Sequence, residues 1–184
     1  MADELIDIYD EANNFTGVRK MKSEAHKDGL YHRTAHVWVY NGKGEVLLQL
    51  RAKSVPFFPG KWDMSAGGHI NTGEEEKESA LRELKEELGL SATEIDLKFF
   101  KIKRVRNVFR KMINNEFFYI YFLKCSNNLN TFQLQAEEVQ EVKFYPIDQL
   151  EQRLKTNSDE FCPHGDYWSE VINYIRSDLT ATSV

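Results

Sequence analysis

The chain has 184 residues, 41% of them hydrophobic, enough for one globular domain spanning 1–184 that buries about two thirds of its unfolded surface. A net charge of −5 argues against a general nucleic-acid or membrane-surface binder, since those attract phosphate with an overall basic face, and no apolar run reaches membrane-spanning length. The acidic stretch Met1–Asp10 does not resemble an export signal. Cys125 and Cys162, far apart and without metal-type spacing, suit a reduced, cytoplasmic chain.

In chain order, Leu5–Tyr9 alternates apolar and polar residues and precedes a turn at Asp10–Asn14, predicting an N-terminal strand. Lys20–Tyr31 is charged, contains Gly29 and carries His26, and is expected to be an irregular approach to the next strand. Thr34–Tyr40 and Glu45–Arg51 flank Asn41-Gly42-Lys43-Gly44, a strong hairpin signal. Ser54–Gly60 reads as a loop and Lys61–Ser65 as a short strand leading to Gly67-Gly68. Ala80, Leu81, Leu84 and Leu88 recur at helical spacing before Gly89, predicting a helix over Glu75–Leu88. Ile95–Arg104 and Glu116–Cys125 read as long strands, the second apolar on both faces and therefore central. Val139–Tyr145 is a further strand, followed by a helix through Leu150 and Leu154, and Trp168, Val171, Ile172, Ile175 and Leu179 stripe a docking helix.

Glu83, Glu86 and Glu87 are three and four residues apart, so they share a helical face. Carboxylates about 5 Å apart repel by roughly 3 kcal/mol per pair at an effective dielectric near 20, whereas an exposed pair such as Arg82 with Glu86 returns only about 0.5 kcal/mol. A solvated acidic face is the ordinary meaning of such a cluster. Divalent cations give it another, because magnesium is held by a few carboxylates together with substrate phosphates and can activate water for attack on phosphorus.

The segment GHINTGEEEKESALRELKEELGL, residues 68–90, resembles the Nudix box: Gly68, Glu74, Arg82, Glu83, Glu86, Glu87 and Gly89 occupy its fixed positions, with Leu84 and Leu90 as its aliphatic ones. At about 7% per residue type, seven fixed positions match by chance on the order of once in a hundred million starting points. The resemblance implies an α/β fold, an α/β/α sandwich around a mixed sheet, and metal-dependent hydrolysis of a diphosphate linkage in a nucleoside diphosphate derivative or related small diphosphate. It places Mg2+, with Mn2+ as the alternative, on Glu83, Glu86, Glu87 and the Gly67 carbonyl, and makes Glu74 and Arg82 a supporting pair. A further ligand or base is implied just before the last long strand, where Glu137 and Glu138 both stand. The resemblance also implies a small-molecule partner, and members of the fold often form homodimers.

Within that superfamily, HxxxxxHRTAHVWVYN, LLQLR and FPGKWDMSAGGHI resemble the isopentenyl diphosphate isomerases. That branch implies a second metal site from His26, His32, His69 and Glu116, and a diphosphate contact at Arg51. Its catalytic cysteine, however, falls at Gly67 and a companion carboxylate at Asn114, and isomerisation needs an acid and a base on opposite faces of an allylic unit. Hydrolysis is the expectation; isomerisation, or a non-catalytic nucleotide-binding module on the same scaffold, is the alternative. A lone histidine is usually a satisfied structural group, and His36 carries no more than that. Phe57, Phe58, Trp62, Phe118 and Trp168 are candidates for stacking on a base, although strand aromatics usually build core. Arg104, Arg106, Arg110 and Lys111 form a basic stretch between two strands, expected as a solvated loop, with a phosphate or substrate-entry loop as the alternative.

Overall fold

The computed structural model describes residues 3–109, 112–125 and 131–181. Its strands are β1 (Leu5–Tyr9), β2 (Phe15–Met21), β3 (Tyr31–Tyr40), β4 (Glu45–Arg51), β5 (Trp62–Asp63), β6 (Ala66–His69), β7 (Leu97–Phe109), β8 (Met112–Lys124) and β9 (Val139–Pro146); its helices are α1 (Lys22–Asp28), α2 (Glu76–Leu88), α3 (Ile147–Thr156) and α4 (Tyr167–Ala181). β3 is the organising strand. It runs parallel to β8 over ten residue pairs, from Tyr31 opposite Asn115 to Tyr40 opposite Lys124. Its other edge is shared by β1 at Tyr31, β6 from Thr34 to Val37 and β4 at Tyr40. β9 lies antiparallel to β4, and β7 closes the far side against β8.

The alternation of β8 divides the interior into two cores. Phe118, Ile120 and Phe122 face a cluster containing Trp38, Leu150 of α3, and Trp168, Val171 and Ile175 of α4. Phe117, Tyr119, Tyr121 and Leu123 face Val37, Val39 and the α2 residues Ala80, Leu84 and Leu88. A strand buried on both faces between helical layers is an α/β/α sandwich.

α2 begins where Glu78 accepts a hydrogen bond from the Glu75 N–H, a capping arrangement, and ends at Gly89, whose φ of 65° is left-handed. Three elements depart from the sequence expectation. The approach to β3 contains the helix α1, seven residues long and terminated by Gly29 at φ 65°; its charged surface gives little apolar periodicity. The short strand expected over Lys61–Ser65 is two strands, β5 and β6, separated at Met64–Ser65. The basic segment expected as a loop is mostly strand: Arg104 and Arg106 lie within β7, because alternating Lys and Arg on an exposed edge carry the period of a strand without its apolar face. Arg110 and Lys111 lie outside the described residues. No helix among the described residues is long and apolar enough to cross a membrane.

Candidate active site

The loop-like strand β6 passes directly beneath α2, and only glycine fits there. A Cβ on Gly68 would lie 2.2 Å from Glu83 Oε1, and one on Gly67 would lie 2.6 Å from the backbone oxygen of Ala35. This close approach lets the Gly67 N–H donate to Glu87 Oε2 at 3.0 Å; Gln49 of β4 donates to the same oxygen at 3.3 Å. Arg82 braces the helix. Its Nε and Nη2 donate to the two oxygens of Glu74 at 2.7 and 3.0 Å, and Nη2 also reaches the His69 carbonyl at 2.9 Å. Glu74 in turn accepts from the Asn71 N–H and the Ser79 hydroxyl, so the end of β6 and the start of α2 are tied through one carboxylate.

The three helix glutamates are not equivalent. Glu83 and Glu87 are buried, whereas the Glu86 side chain is 51% exposed and pairs with Arg82 at 3.1 Å. Burial pushes the Glu83 pKa up to about 7, against the opposing pull of Arg82. Burial, then Glu83 and Glu138, push Glu87 well above the ordinary range. Glu138, half-buried at the foot of β9, is raised by burial too. One arginine cannot neutralise this group. Closely set carboxylates that are costly to ionise in isolation fit a divalent cation, which would stabilise their charged forms.

A second cluster stands beside the first. α1 supplies His26, β3 His32, β6 His69 and β8 Glu116, the last opposite His32 in the parallel register. His26 Nε2 and His69 Nε2 are 3.1 Å apart. Glu116 Oε1 lies 3.3 Å from His32 Nε2 and 3.8 Å from His69 Nε2. The donor atoms of the three histidines fall within 4.8 Å of one another, and the buried His32 Nε2 has no hydrogen-bond partner. Burial and its neighbour His32 lower the His26 pKa to about 4, and burial with both other histidines depresses His69. Glu116 stays ionised because His32 beside it outweighs its burial. Three imidazoles around a carboxylate, with buried His26 Nδ1 and His32 Nε2 unpaired, are a donor set suited to a transition metal or zinc.

Part of each cluster opens on one cleft of about 940 Å3 including open solvent, lined by Gly67, Gly68, His69, Glu87, Glu116 and Glu138, whereas Glu83, Glu86 and His32 are not among its lining residues. The cleft is lined as well by Arg51, Asp63, His164, Phe57, Phe58 and Phe118. Arg51 donates from Nε to the Phe57 carbonyl at 3.0 Å and from Nη1 to Asp63 at 3.2 Å.

Of the sequence candidates, Glu138 lines the cleft and Glu137 is exposed, with its carbonyl accepting from Ser54. Among the aromatics, Phe57, Phe58 and Phe118 reach the cleft. Trp62 packs on Tyr145 and Trp168 is buried against Trp38 and Phe161, so these two build core. Arg104 is exposed and engaged with Tyr31 and Glu11. Asn114 donates to Glu116. His36 is fully enclosed, stacked on Phe118 with centroids 3.8 Å apart. Sequence reasoning did not single out Asp63, His164 or Gln49. Asp63 stands inside the quoted FPGKWDMS segment, but His164 meets it from 101 positions away, a contact without local signature.

A family model of the NUDIX domain matches residues 30–164. The chain is 36% identical to Nudix hydrolase 3 of Arabidopsis thaliana over 96% of its own length, and it spans 24% of that longer protein. It is 29% identical to an isopentenyl-diphosphate Delta-isomerase of Pectobacterium atrosepticum, over 84% of this chain and 83% of that one. Among solved structures, DR0079 from Deinococcus radiodurans superimposes with a TM-score of 0.67 at 18% identity, covering 94% of this chain and 99% of the other.

Proposed function

The chain belongs to the Nudix family of hydrolases, and from that premise we propose that it cleaves a diphosphate linkage in a nucleoside diphosphate derivative or a related small diphosphate, with Mg2+, or Mn2+ in its place, held by Glu83, Glu86, Glu87 and the Gly67 carbonyl. The observation that carries this reading is the burial of Glu83 and Glu87 against the Gly67-Gly68 pair of β6, with Glu87 and Glu138 lining one cleft. Stability gives no reason to bury two adjacent carboxylates; a bound cation does. When bound, the metal supplies charge that stabilises the phosphoryl oxygens and acidifies water.

The protein's own part is to orient and to take a proton. Arg82 and Glu74 fix the helix pitch against β6. Glu138, on a different element from the helix glutamates, is the candidate base, and Glu137 is left outside the cleft. Water attacks phosphorus, its proton passes to that carboxylate, and the P–O–P bridge breaks to leave two phosphate-bearing products. Arg51, which lines the same cleft, is suited to the phosphate oxygens, since a guanidinium binds them bidentately. His26, His32, His69 and Glu116 form a second metal site in the same cleft.

Isomerisation is the second reading, favoured by that histidine cluster. It is opposed at Gly67, where a side chain would collide with rigid backbone, so the branch's cysteine has no room. Incubation with Mg2+ and a panel of nucleotide sugars, dinucleotides, nucleoside diphosphates, coenzyme A and isopentenyl diphosphate, followed by phosphorus NMR, separates the readings. Metal-dependent phosphate or monophosphate release is expected. Formation of dimethylallyl diphosphate supports isomerisation instead, and binding without turnover supports a non-catalytic module.

A further inference from the structure

Asp63 ends the two-residue strand β5 at the back of the cleft, with its side chain 4% exposed. Both oxygens are engaged. Oδ1 lies 2.6 Å from His164 Nε2 and accepts the Met64 N–H at 2.8 Å, while Oδ2 accepts Arg51 Nη1 at 3.2 Å. Burial alone would raise the pKa of this carboxyl, yet His164 and Arg51 hold it well below the ordinary range.

Cys162 joins Asp63 and His164 in a group whose donor atoms lie within 4.8 Å of one another, the composition of a zinc site. The spacing argues against one. Two nitrogen or oxygen ligands of a tetrahedral ion, bonded at about 2.0–2.1 Å, sit roughly 3.3 Å apart, whereas 2.6 Å between Nε2 and Oδ1 is a direct, charge-assisted hydrogen bond. Arg51 already sets a positive charge against the same carboxylate. Nor is Cys162 poised as a nucleophile, because burial pushes its thiol pKa up and its hydrogen bond goes to Asp63.

What remains is a carboxylate that fixes two nitrogen-bearing side chains on one wall. His164 Nδ1 and Arg51 Nη2 have no hydrogen-bond partner among the described residues. Both side chains line the same cleft as Glu87 and Glu138, and the charge of Arg51 is felt at Glu87. We propose that Asp63 clamps His164 and Arg51 into a paired donor wall for a phosphoryl group of the diphosphate, making His164 a substrate-binding residue and Asp63 a positioning residue. The inference rests on the diphosphate reading above and extends it to a group of cleft residues outside the helix glutamates.

The ring of His164 is enclosed by His36, Phe118, Tyr167 and Trp168; its charged or titratable neighbours include Asp63, Cys162, Arg51, His36 and Tyr167, and Lys103, Arg104 and Arg106 share a further pocket with it. With the Nε2 proton given to Asp63, Nδ1 donates to a phosphate oxygen only when it too carries a proton. The bound state therefore holds an imidazolium between two anions, Asp63 and the phosphoryl group.

Methylenediphosphonate, whose P–C–P bridge resists hydrolysis, is the probe, titrated with Mg2+ into the full chain. Nitrogen-15 NMR of the imidazoles is expected to show the His164 Nδ1 signal moving to the protonated position on saturation. His164→Gln keeps an amide for Asp63 but has nothing at Nδ1; by calorimetry its Kd should rise about tenfold, the scale of one charge-assisted hydrogen bond, with an unchanged melting temperature. Asp63→Asn should weaken binding and abolish the His164 response. If the wild type binds while His164 stays silent and His164→Gln binds equally well, the donor wall is wrong and the diphosphate reading survives. Failure of the wild type to bind the probe at all sinks both.

Discussion

Two glutamates buried next to each other, Glu83 and Glu87, have raised pKa values, Glu83 to about 7, because desolvation first and neighbouring carboxylates second disfavour their anions and favour bound protons. A divalent cation must displace those protons before it can bind. Magnesium uptake near pH 7 should therefore release protons, and apparent affinity should climb as pH rises through about 7; calorimetry in buffers of different ionisation enthalpy measures the number released, and zero would contradict the assignment. Glu87→Gln should lower turnover at least about a hundredfold, a ligand being no less important than the groups that orient it, with the fold retained by circular dichroism; wild-type turnover would remove Glu87 from the site. His36 gives the opposite proton linkage. Burial, with a smaller contribution from His164, depresses its pKa to about 3, so its contribution is complete above the unfolded value of 6.5 and is lost as pH falls from there towards 3. The unfolded chain binds a proton that the folded chain refuses, at about 1.4 kcal/mol per pH unit. His36→Asn should flatten the acid slope of urea-measured stability by up to that amount, and an unchanged slope would show that His36 titrates freely.

At the scale of elements, the site depends on how closely β6 approaches α2. A methyl group at Gly68 meets the end of a flexible side chain, Glu83, but one at Gly67 meets the Ala35 backbone. Gly68→Ala should thus fold normally and lose roughly ten- to a hundredfold in turnover through a displaced Glu83. Gly67→Ala should cost about 1–3 kcal/mol of stability. Steady-state kinetics and denaturant melts of the pair test this, and a reversed pattern would mean that β6 is free to move. α2 was readable in the sequence because its apolar spacing, its cap and its glutamates all lie within one short stretch. α1 was not, being a seven-residue helix whose stability comes from docking rather than periodicity. The same distinction governs the candidate site: Glu83, Glu86 and Glu87 announce themselves by spacing, whereas Asp63 and His164 are joined only by the packing of the segment before α4 onto β5. That Glu138 lines the cleft while adjacent Glu137 is exposed depends on the turn entering β9 and has no local signature in the sequence.

Over the whole molecule, two apolar cores lie on either side of β3 and β8, and the functional groups occupy the open end between them. Both faces of β8 were foreseeable from its unbroken apolar run, as was the stripe of α4; which strands would flank β3 was not, since pairing partners lie far apart in sequence. Trp168 anchors α4, packing on Trp38 and Phe161 and donating its indole N–H to the Cys162 carbonyl at 2.9 Å. Trp168→Ala should cost about 3–5 kcal/mol in a urea melt, and through the neighbouring Cys162–His164 segment it should disturb the cleft as well. A loss below about 1 kcal/mol would show that α4 is held elsewhere.

The parallel pairing of β3 with β8 also sets an order of events in time. Tyr31 meets Asn115, eighty-four positions later in the chain, and contacts of such long range form slowly because a large loop must close first. On the ribosome, where elongation runs at about 5–20 residues per second, the histidines and the helix glutamates emerge seconds before Glu116 and Glu138 can join them. The nascent chain thus carries an acidic helix and three imidazoles with no completed cage, and an ion captured at that stage could leave as readily as it came. Any metal held by these groups would be retained only once β8 lies beside β3, which makes this central strand the one that completes the proposed cage.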